Sequence, residues 1–323
     1  MKDKYGREID YLRISLTDKC NLRCIYCMEE KGNDFFDEEE KVTKDEICKI
    51  VNSCSKLGIK KIRLTGGEPL VRKDIVELVE AINKIEGIEE IYLTTNGILL
   101  EDKVYILKKA GLKGVNISLD SLKDEMFNKL TRLGELKKVL KSIDKCLEHG
   151  INVKLNVVMI KGMNEDEILD FVKLTLDKSM DVRFIELMPI GVGSKFKGVS
   201  NEEIKKIIKD NYNDTEEVMK NKNGGPATYI KLRDAKGKVG FISAISNCFC
   251  EECNRIRLTS EGFLKQCLHY NYGIDLKKLL RNGASEEEII NAIEENIFNK
   301  PEKHLFMRKS ADKELKFMNK IGG

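Results

Sequence analysis

The sequence predicts an α/β fold: a partial, open parallel β/α barrel of about six βα units, with a smaller C-terminal α+β region closing the barrel mouth. Two observations support this fold. From residue 9 to about residue 186, short β-rich runs alternate with amphipathic helical patterns, which is typical of βαβ units with right-handed crossovers. After Pro189 the alternation ends and the composition changes. Six units are too few to close an eight-stranded barrel, so an open one is expected.

Six predicted strands carry the barrel. They cover residues 11–16, 61–64, 90–94, 114–118, 153–158 and 181–186. The helix after the first strand opens with a capping box, Thr43-x-x-Glu46, and then repeats apolar residues at helical spacing. A second strong helical pattern covers residues 136–147. The candidate functional residues fall at or just after the strand ends, which is the rim where barrels carry their active sites.

The remainder of the chain is predicted to form a second region. We expect domains at residues 1–190 and 191–323, with a linker at residues 190–193. A helix is predicted at residues 201–209 and an exposed loop at 221–225. A hairpin of strands 228–232 and 239–245 follows. Further elements are a short strand near residues 257–259 and helices at 276–282 and 286–296.

Composition limits the classes of function. With 323 residues, 41% hydrophobic and 34% charged, the chain has the make-up of a globular protein with a sizeable core. A net charge of +3 is too small to indicate nucleic-acid binding, and the apolar runs are too short to span a membrane. The N-terminus has no signal-peptide pattern, so a cytoplasmic location is expected. In that setting, clustered cysteines indicate metal binding more than disulfides.

The first cysteine cluster is Cys20, Cys24 and Cys27, at C-x3-C-x2-C spacing after the first strand. Thiolates at this spacing can hold three corners of an iron–sulfur cube, which leaves one iron open for chemistry. The alternatives are a zinc knuckle that lacks one ligand or a disulfide loop. Zinc sites usually show a fourth Cys or His close by, and none is near, so the cluster is favoured.

The second cysteine cluster is Cys250, Cys253 and Cys267, with Cys248 two residues before the first. Residues 257–265 are predicted to form a small hairpin that returns Cys267 to the pair. Taken alone, this set fits zinc about as well as an iron–sulfur cluster. The other cysteines, Cys48, Cys54 and Cys146, fall on or beside apolar helix faces and are expected to be core residues.

Several motifs together resemble a known family. The cysteine loop, with Tyr26 before its last Cys, is followed after a βα unit by Gly66-Gly67-Glu68-Pro69. This pairing resembles the radical S-adenosylmethionine (SAM) superfamily. Over the whole chain, including the segment Cys253-Asn254-Arg255-Ile256-Arg257 and the terminal Gly322-Gly323, the sequence resembles the GTP 3′,8-cyclase family of molybdenum cofactor biosynthesis.

The resemblance implies a lyase reaction. A 5′-deoxyadenosyl radical from SAM would abstract the ribose 3′-hydrogen of GTP, and C3′ would bond to guanine C8. The product would be (8S)-3′,8-cyclo-7,8-dihydroguanosine 5′-triphosphate. The implied cofactors are two [4Fe-4S] clusters and SAM. The implied partners are GTP, a reductant or electron-donor protein and a cyclic pyranopterin synthase downstream; a homodimer is a candidate assembly.

The resemblance also implies the site residues. Cys20, Cys24 and Cys27 would hold the SAM cluster, and Cys250, Cys253 and Cys267 the second, with Cys248 not a ligand. The SAM site would be lined by Tyr26, Gly67, Ser118 and Met188. The GTP site would be formed by Arg13, Arg63, Thr94, Lys154, Arg255 and Arg257, with Arg183 a weaker candidate.

Three further expectations concern individual roles. No residue is expected to be catalytic beyond the cofactors, with Arg255 and Arg257 as the candidates. Gly66-Gly67 would let the backbone approach the methionine amino group, which a Cβ would block. The terminal Gly-Gly would insert toward the active site.

Two alternatives remain. One is a radical SAM peptide or sulfatase maturase with an auxiliary cluster, although such enzymes carry longer Cys-rich tails. The other is a zinc-stabilised binding module without catalysis.

Overall fold

Eight neighbouring parallel strands form the centre of the molecule. The structure, a computed structural model, describes residues 1–32, 35–219, 225–247, 249–304 and 317–322. Within these residues the strands are β1 (Tyr11–Ser15), β2 (Lys61–Thr65), β3 (Glu90–Thr95), β4 (Gly114–Ser118), β5 (Asn152–Val157), β6 (Asp181–Ile185), β7 (Thr215–Val218), β8 (Thr228–Leu232), β9 (Val239–Ile242), β10 (Arg255–Leu258), β11 (Phe263–Lys265) and β12 (Gly273–Asp275). They form one sheet in the order β12-β11-β10-β1-β2-β3-β4-β5-β6-β9-β8-β7. The strands from β10 to β9 in this order pair in parallel, and the outer strands pair antiparallel.

All of the helices described except the last, which lies in the C-terminal segment, cover the outside of the sheet. The helices are α1 (Lys44–Lys56), α2 (Ile75–Asn83), α3 (Val104–Lys109), α4 (Asp124–Thr131), α5 (Leu136–Glu148), α6 (Ile168–Asp177), α7 (Asn201–Asn211), α8 (Leu276–Arg281), α9 (Glu286–Phe298) and α10 (Met318–Ile321). The predicted capping box at α1 is confirmed, because the Thr43 side chain accepts from the Glu46 backbone N–H and the Glu46 carboxylate accepts from the Thr43 N–H. In the part of the chain that is described, no helix is long and apolar enough to cross a bilayer.

Along most of the parallel strands, one face is apolar and the other is polar. Residues such as Leu12, Ile62 and Val182 are fully buried and belong to one hydrophobic core with the inward faces of the helices. Their strand neighbours, such as Arg13 and Arg183, point to the opposite face, the inside of the barrel. The alternation therefore places the polar and basic side chains in the interior, where a ligand can reach them.

The predicted open barrel is confirmed, and each of its six strands lies within one residue of the predicted bounds at either end. The predicted hairpin is also present as β8 and β9. One feature differs from the prediction: the C-terminal region adds strands to both edges of the barrel, β9 beside β6 and β10 beside β1. Among the residues described, the structure therefore has eight parallel strands, where the sequence predicts six. The domain boundary at residue 190 stays a prediction.

Substitution of Phe184 tests how the C-terminal region packs against the barrel. Its ring is fully buried on β6 and stacks on Phe241 of β9 with the ring centroids 6.3 Å apart. We expect Phe184→Ala to lower the free energy of unfolding by about 3–5 kcal/mol, because it removes a buried ring and leaves a cavity. The measurement is urea unfolding of the anaerobic protein. The matched control is Phe298→Ala, whose ring is 52% exposed; a similar loss in both variants would contradict the proposed role of the stacked pair.

Candidate active site

The first cysteine loop leaves the end of β1 and packs against the end of β2. Backbone hydrogen bonds fix it there, because Gly67 N–H donates to the Thr17 carbonyl at 2.7 Å and Glu68 N–H donates to the Lys19 carbonyl at 2.8 Å. The Cys27 N–H donates to the Cys24 carbonyl at 3.0 Å, which closes a tight turn. The structure thus places Cys20, Cys24 and Cys27 at the carboxyl end of the barrel, with half-buried free thiols.

These three thiols lie close enough to influence one another electrostatically. Burial raises the pKa of Cys20 to about 11 and that of Cys27 to about 12, and Cys20 also contributes to the shift of Cys27. The pKa of Cys24 is raised well above its usual value by burial and then by Cys27 and Cys20. The positively charged inorganic core of an iron–sulfur cluster would offset this repulsion and favour the thiolates.

The surroundings of the sulfur atoms also fit a cluster. The Leu22 N–H donates to Cys20 Sγ at 3.4 Å, and the Asn319 backbone N–H donates to the Cys27 sulfur. N–H donors of this kind tune iron–sulfur clusters. Among the residues described, no three Cys, His, Asp or Glu side chains converge as the ligands of a single metal ion would. Cluster ligands bind different irons, so their sulfur atoms stand farther apart.

The packing of the cysteine loop requires glycine at positions 66 and 67, a requirement that adds to the role predicted for them. A Cβ on Gly67 would stand 2.3 Å from the Lys19 carbonyl oxygen, and one on Gly66 would stand 2.6 Å from the Thr17 oxygen. Both contacts are with backbone, which cannot rotate away. The space that a side chain would fill is therefore occupied by the protein itself.

The remaining residues predicted for SAM lie on the same rim. Tyr26 donates its hydroxyl to Asp120 Oδ2 at 2.6 Å, and burial followed by Asp120 raises the pKa of Tyr26 well above its usual value. Ser118 is the last residue of β4. Met188 is partly buried and packs in a small apolar cluster with Ile190 and Ile321, so it serves as a packing residue in addition to any cofactor contact.

Glu68 and Asn96 belong to this rim, and the sequence analysis did not select them as site residues. The buried Glu68 carboxylate accepts from Thr95 Oγ1 at 2.8 Å and from the Asn96 N–H at 2.7 Å, and burial raises its pKa to about 7. The Asn96 amide in turn donates to Asn21 Oδ1 at 2.8 Å and lies 3.8 Å from Cys20 Sγ. Glu68 stands in the Gly66-Gly67-Glu68-Pro69 motif of the family resemblance, and Asn96 directly follows β3; these positions were the available signal.

A row of arginines crosses three neighbouring strands inside the barrel. Arg13 of β1 is in register with Arg257 of β10 on one side and with Arg63 of β2 on the other. Burial and then Arg257 lower the pKa of Arg13 well below its usual value, and burial followed by Arg255 lowers the pKa of Arg257 to about 10. These shifts show like charges held together in a partly desolvated site, where an anion would be stabilised.

The other predicted GTP residues line the same interior. Arg63, Lys154 and Arg183 line a cavity of about 270 Å³ that also includes Tyr11 and Tyr229. Lys154 pairs with Asp181 at 3.6 Å. Among the described residues, three buried atoms next to or on this face make no hydrogen bond: Arg63 Nη1, Thr94 Oγ1 and Arg183 Nε. Donors left without protein acceptors fit a polyanionic ligand.

The second cysteine set is assembled at the edge next to β1. Cys250 begins a single 3-10 turn that ends before Cys253, and β10 and β11 form the predicted hairpin with Arg257 opposite Lys265. The hairpin returns Cys267 toward the pair, and both Cys253 and Cys267 act electrostatically on Arg257. Cys248 lies outside the described residues.

The electrostatics of Cys253 differ from those of the first set. Burial would raise its pKa, but Lys300 and Arg255 together lower it to about 6. Arg255 also lies over the Phe249 ring, 4.8 Å from its centroid. The second set is therefore built in a positively charged environment, which favours thiolate ligands.

The C-terminal segment contacts both the first cysteine loop and the strand that follows Cys253. Asn319, whose backbone contacts Cys27, also donates its side-chain amide to the Asp18 carbonyl at 3.0 Å. Arg257 donates to the Gly322 carbonyl at 2.8 Å. Gly322 has φ of +74° and packs on Ser15 and Thr65, where a Cβ would come within 2.9 Å of Ser15 Cβ. The last residue, Gly323, lies outside the described residues.

Comparison with known proteins agrees with this geometry. The radical SAM superfamily matches residues 14–175, and the Molybdenum Cofactor Synthesis C family matches residues 180–306. The chain is 58% identical over 323 residues to a GTP 3′,8-cyclase of Clostridium perfringens (strain 13 / Type A), covering 100% of both chains. It belongs to the GTP 3′,8-cyclase family of radical SAM enzymes. A relative of the same name from Alkaliphilus oremlandii is 49% identical over 327 residues, again with 100% of both chains covered.

A solved structure of another protein shares the fold of this family member. The crystal structure of Streptococcus suis SuiB bound to precursor peptide SuiA aligns with a TM-score of 0.63 at 15% identity. The alignment covers 92% of this chain and 66% of that chain. At this level of identity the likeness concerns the fold alone.

Gly67 provides a test of the loop packing. We expect Gly67→Ala to destabilise the cysteine loop by about 1–3 kcal/mol, because the added methyl group would overlap the Lys19 backbone. The iron and sulfide retained at the first site after anaerobic reconstitution should fall, together with SAM binding. Gly225→Ala is the matched control, since a Cβ there meets nothing within 4 Å. Full retention of iron and SAM binding in Gly67→Ala would refute this account of the glycine.

Proposed function

We propose that this chain converts GTP into (8S)-3′,8-cyclo-7,8-dihydroguanosine 5′-triphosphate, the first step of molybdenum cofactor biosynthesis. Full-length identity of 58% to a protein named GTP 3′,8-cyclase supports the reaction. The observation that carries the proposal for the substrate is the row formed by Arg257, Arg13 and Arg63 inside the barrel. A triphosphate carries several negative charges, and guanidinium groups match phosphate oxygens in bidentate geometry.

Cys20, Cys24 and Cys27 would hold the [4Fe-4S] cluster that the radical SAM superfamily implies, and SAM would lie beside it. The chemistry that these cofactors supply when bound is reductive SAM cleavage to a 5′-deoxyadenosyl radical, abstraction of the GTP 3′-hydrogen and C3′–C8 bond formation. The chain's own residues orient the reactants. Tyr26, held by Asp120, together with Gly67, Ser118 and Met188, would line the SAM site.

Cys250, Cys253 and Cys267 would hold a second [4Fe-4S] cluster that contacts the guanine base. The positively charged surroundings of Cys253 support this assignment, since a cluster with thiolate ligands carries negative charge. Arg257 belongs to the arginine row and Arg255 precedes it by two residues on β10, so both would contact the nucleotide; Lys154 and Thr94 would complete the site. Both arginines would also be placed to stabilise developing charge during cyclisation.

The remaining assignments follow from the reaction. A reductant or an electron-donor protein would supply electrons, and a cyclic pyranopterin synthase would consume the product. A cytoplasmic location and a homodimeric assembly are part of the same proposal.

Anaerobic incubation with SAM, GTP and a reductant tests the reaction. We expect 5′-deoxyadenosine and cyclised nucleotide to form together, and Cys→Ser changes at any of the six assigned cysteines to abolish cyclisation. Cys48→Ser is the matched control, because Cys48 packs partly buried beside the core and away from both sets. Normal cyclised product from Cys250→Ser would reject the assignment of the second set.

Arg257 provides a test of the substrate site. We expect Arg257→Ala to weaken GTP binding about tenfold or more, because a charge-assisted contact to a phosphate or the base is lost. SAM cleavage in the absence of GTP should change less. Arg233→Ala is the control, with a side chain 75% exposed. GTP affinity equal to that of the unaltered chain would remove Arg257 from the substrate site.

A further inference from the structure

Lys300 is a buried lysine to which the proposed reaction assigns no role. It follows the end of α9 by two residues, and only 2% of its surface is exposed. Lysine is almost never buried to this extent unless it is paired. Among the residues described, no carboxylate lies within ion-pair distance of its ammonium group. A buried charge without a counter-ion is costly, so its position requires an explanation.

Lys300 joins the two stretches of chain that carry the second cysteine set. Its ammonium donates to the Arg255 carbonyl at 3.0 Å and to the Gln266 carbonyl. Arg255 lies two residues after Cys253, and Gln266 immediately precedes Cys267. One side chain therefore fixes the separation between the Cys250–Cys253 turn and the strand end that brings Cys267 back.

Arg7 also contacts the second cysteine set, but its charge is paired, unlike that of Lys300. It donates to the Cys250 carbonyl at 2.9 Å, so it also positions a predicted ligand. Its guanidinium, however, forms a buried ion pair with Asp3 at 2.6 Å. The charge of Arg7 is thus balanced within the protein, whereas the charge of Lys300 is left to be balanced by whatever the second cysteine set holds.

We propose that Lys300 is a positioning residue for the second cysteine set and the fixed counter-charge of the iron–sulfur cluster bound there. This inference rests on the proposed function, which places a cluster at that set. Reduction adds one negative charge, and a nearby cation in a region of low dielectric constant stabilises the reduced state more than the oxidised one. Lys300 therefore makes the second cluster easier to reduce, in addition to holding its ligands in place.

The test uses a full-length chain in which Cys20, Cys24 and Cys27 are replaced by alanine, so that only the second set can hold a cluster. Anaerobically reconstituted Lys300→Met, Lys300→Gln and Lys300→Arg variants are compared with this parent by iron and sulfide content and by EPR-monitored redox titration. Lys303→Met is the matched control, since Lys303 lies three residues away and is exposed.

We expect Lys300→Met to lower the stability of the reduced state relative to the oxidised state about tenfold. For a one-electron couple this corresponds to a fall of about 59 mV in the reduction potential of the second cluster. Lys300→Arg should keep the parent potential because it keeps the charge, and Lys300→Gln should resemble Lys300→Met despite its hydrogen-bond donor. If Lys300→Met fails to retain iron, retention by Lys300→Arg but not by Lys300→Gln supports the same conclusion.

Two results would overturn the inference while leaving the proposed function intact. One is a Lys300→Met variant that binds its full content of iron and has the same reduction potential as the parent chain. The other is full recovery of the parent potential, or of iron retention, by Lys300→Gln, which would assign the effect to hydrogen bonding alone. A parent chain that binds no iron–sulfur cluster would instead reject the second cluster of the proposed function, and the role of Lys300 with it.

Discussion

The alternation of side chains along eight parallel strands is the constraint on which the rest of this structure depends. One face of each strand is buried against helices, so a shift of register by one residue would move the apolar side chains into the interior and the basic ones into the core. With the register fixed, Arg257, Arg13 and Arg63 must stand side by side across three strands. The polar interior is therefore a direct consequence of the way the core is packed.

The same constraint explains where the cysteines lie. The first loop begins where β1 ends, and the close contact of Gly67 with the Lys19 carbonyl leaves the loop a single way to pack on the neighbouring strand. The second set flanks β10, which pairs with β1 on its other edge. A strand contributed by the C-terminal region thus places the second set beside β1, and residues 317–322 contact both the first cysteine loop and Arg257 of that strand.

Charge is distributed unequally between the two sets. The thiols of the first set are buried together, and the pKa values of all three are raised. The second set is surrounded by Arg255, Arg257 and Lys300, and the pKa of Cys253 falls to about 6. The two sets have the same three-thiol composition, but their surroundings give them different electrostatic potentials.

The sequence by itself determined the open barrel, its six strands to within one residue and the spacing of the two cysteine sets, because period-two strands, helix caps and ligand spacings are local patterns. The basic residues expected to bind GTP came from the family resemblance instead. Only the tertiary structure decided that β9 and β10 extend both edges of the barrel, since pairing between strands distant in sequence leaves no local pattern. It also decided the roles of Asn96, Asn319 and Lys300, whose contacts form only when separate segments meet. Gly66 and Gly67 illustrate the difference between the two kinds of information. Their position was evident from the sequence, but only the structure shows the backbone of residues 17–19 that packs against them.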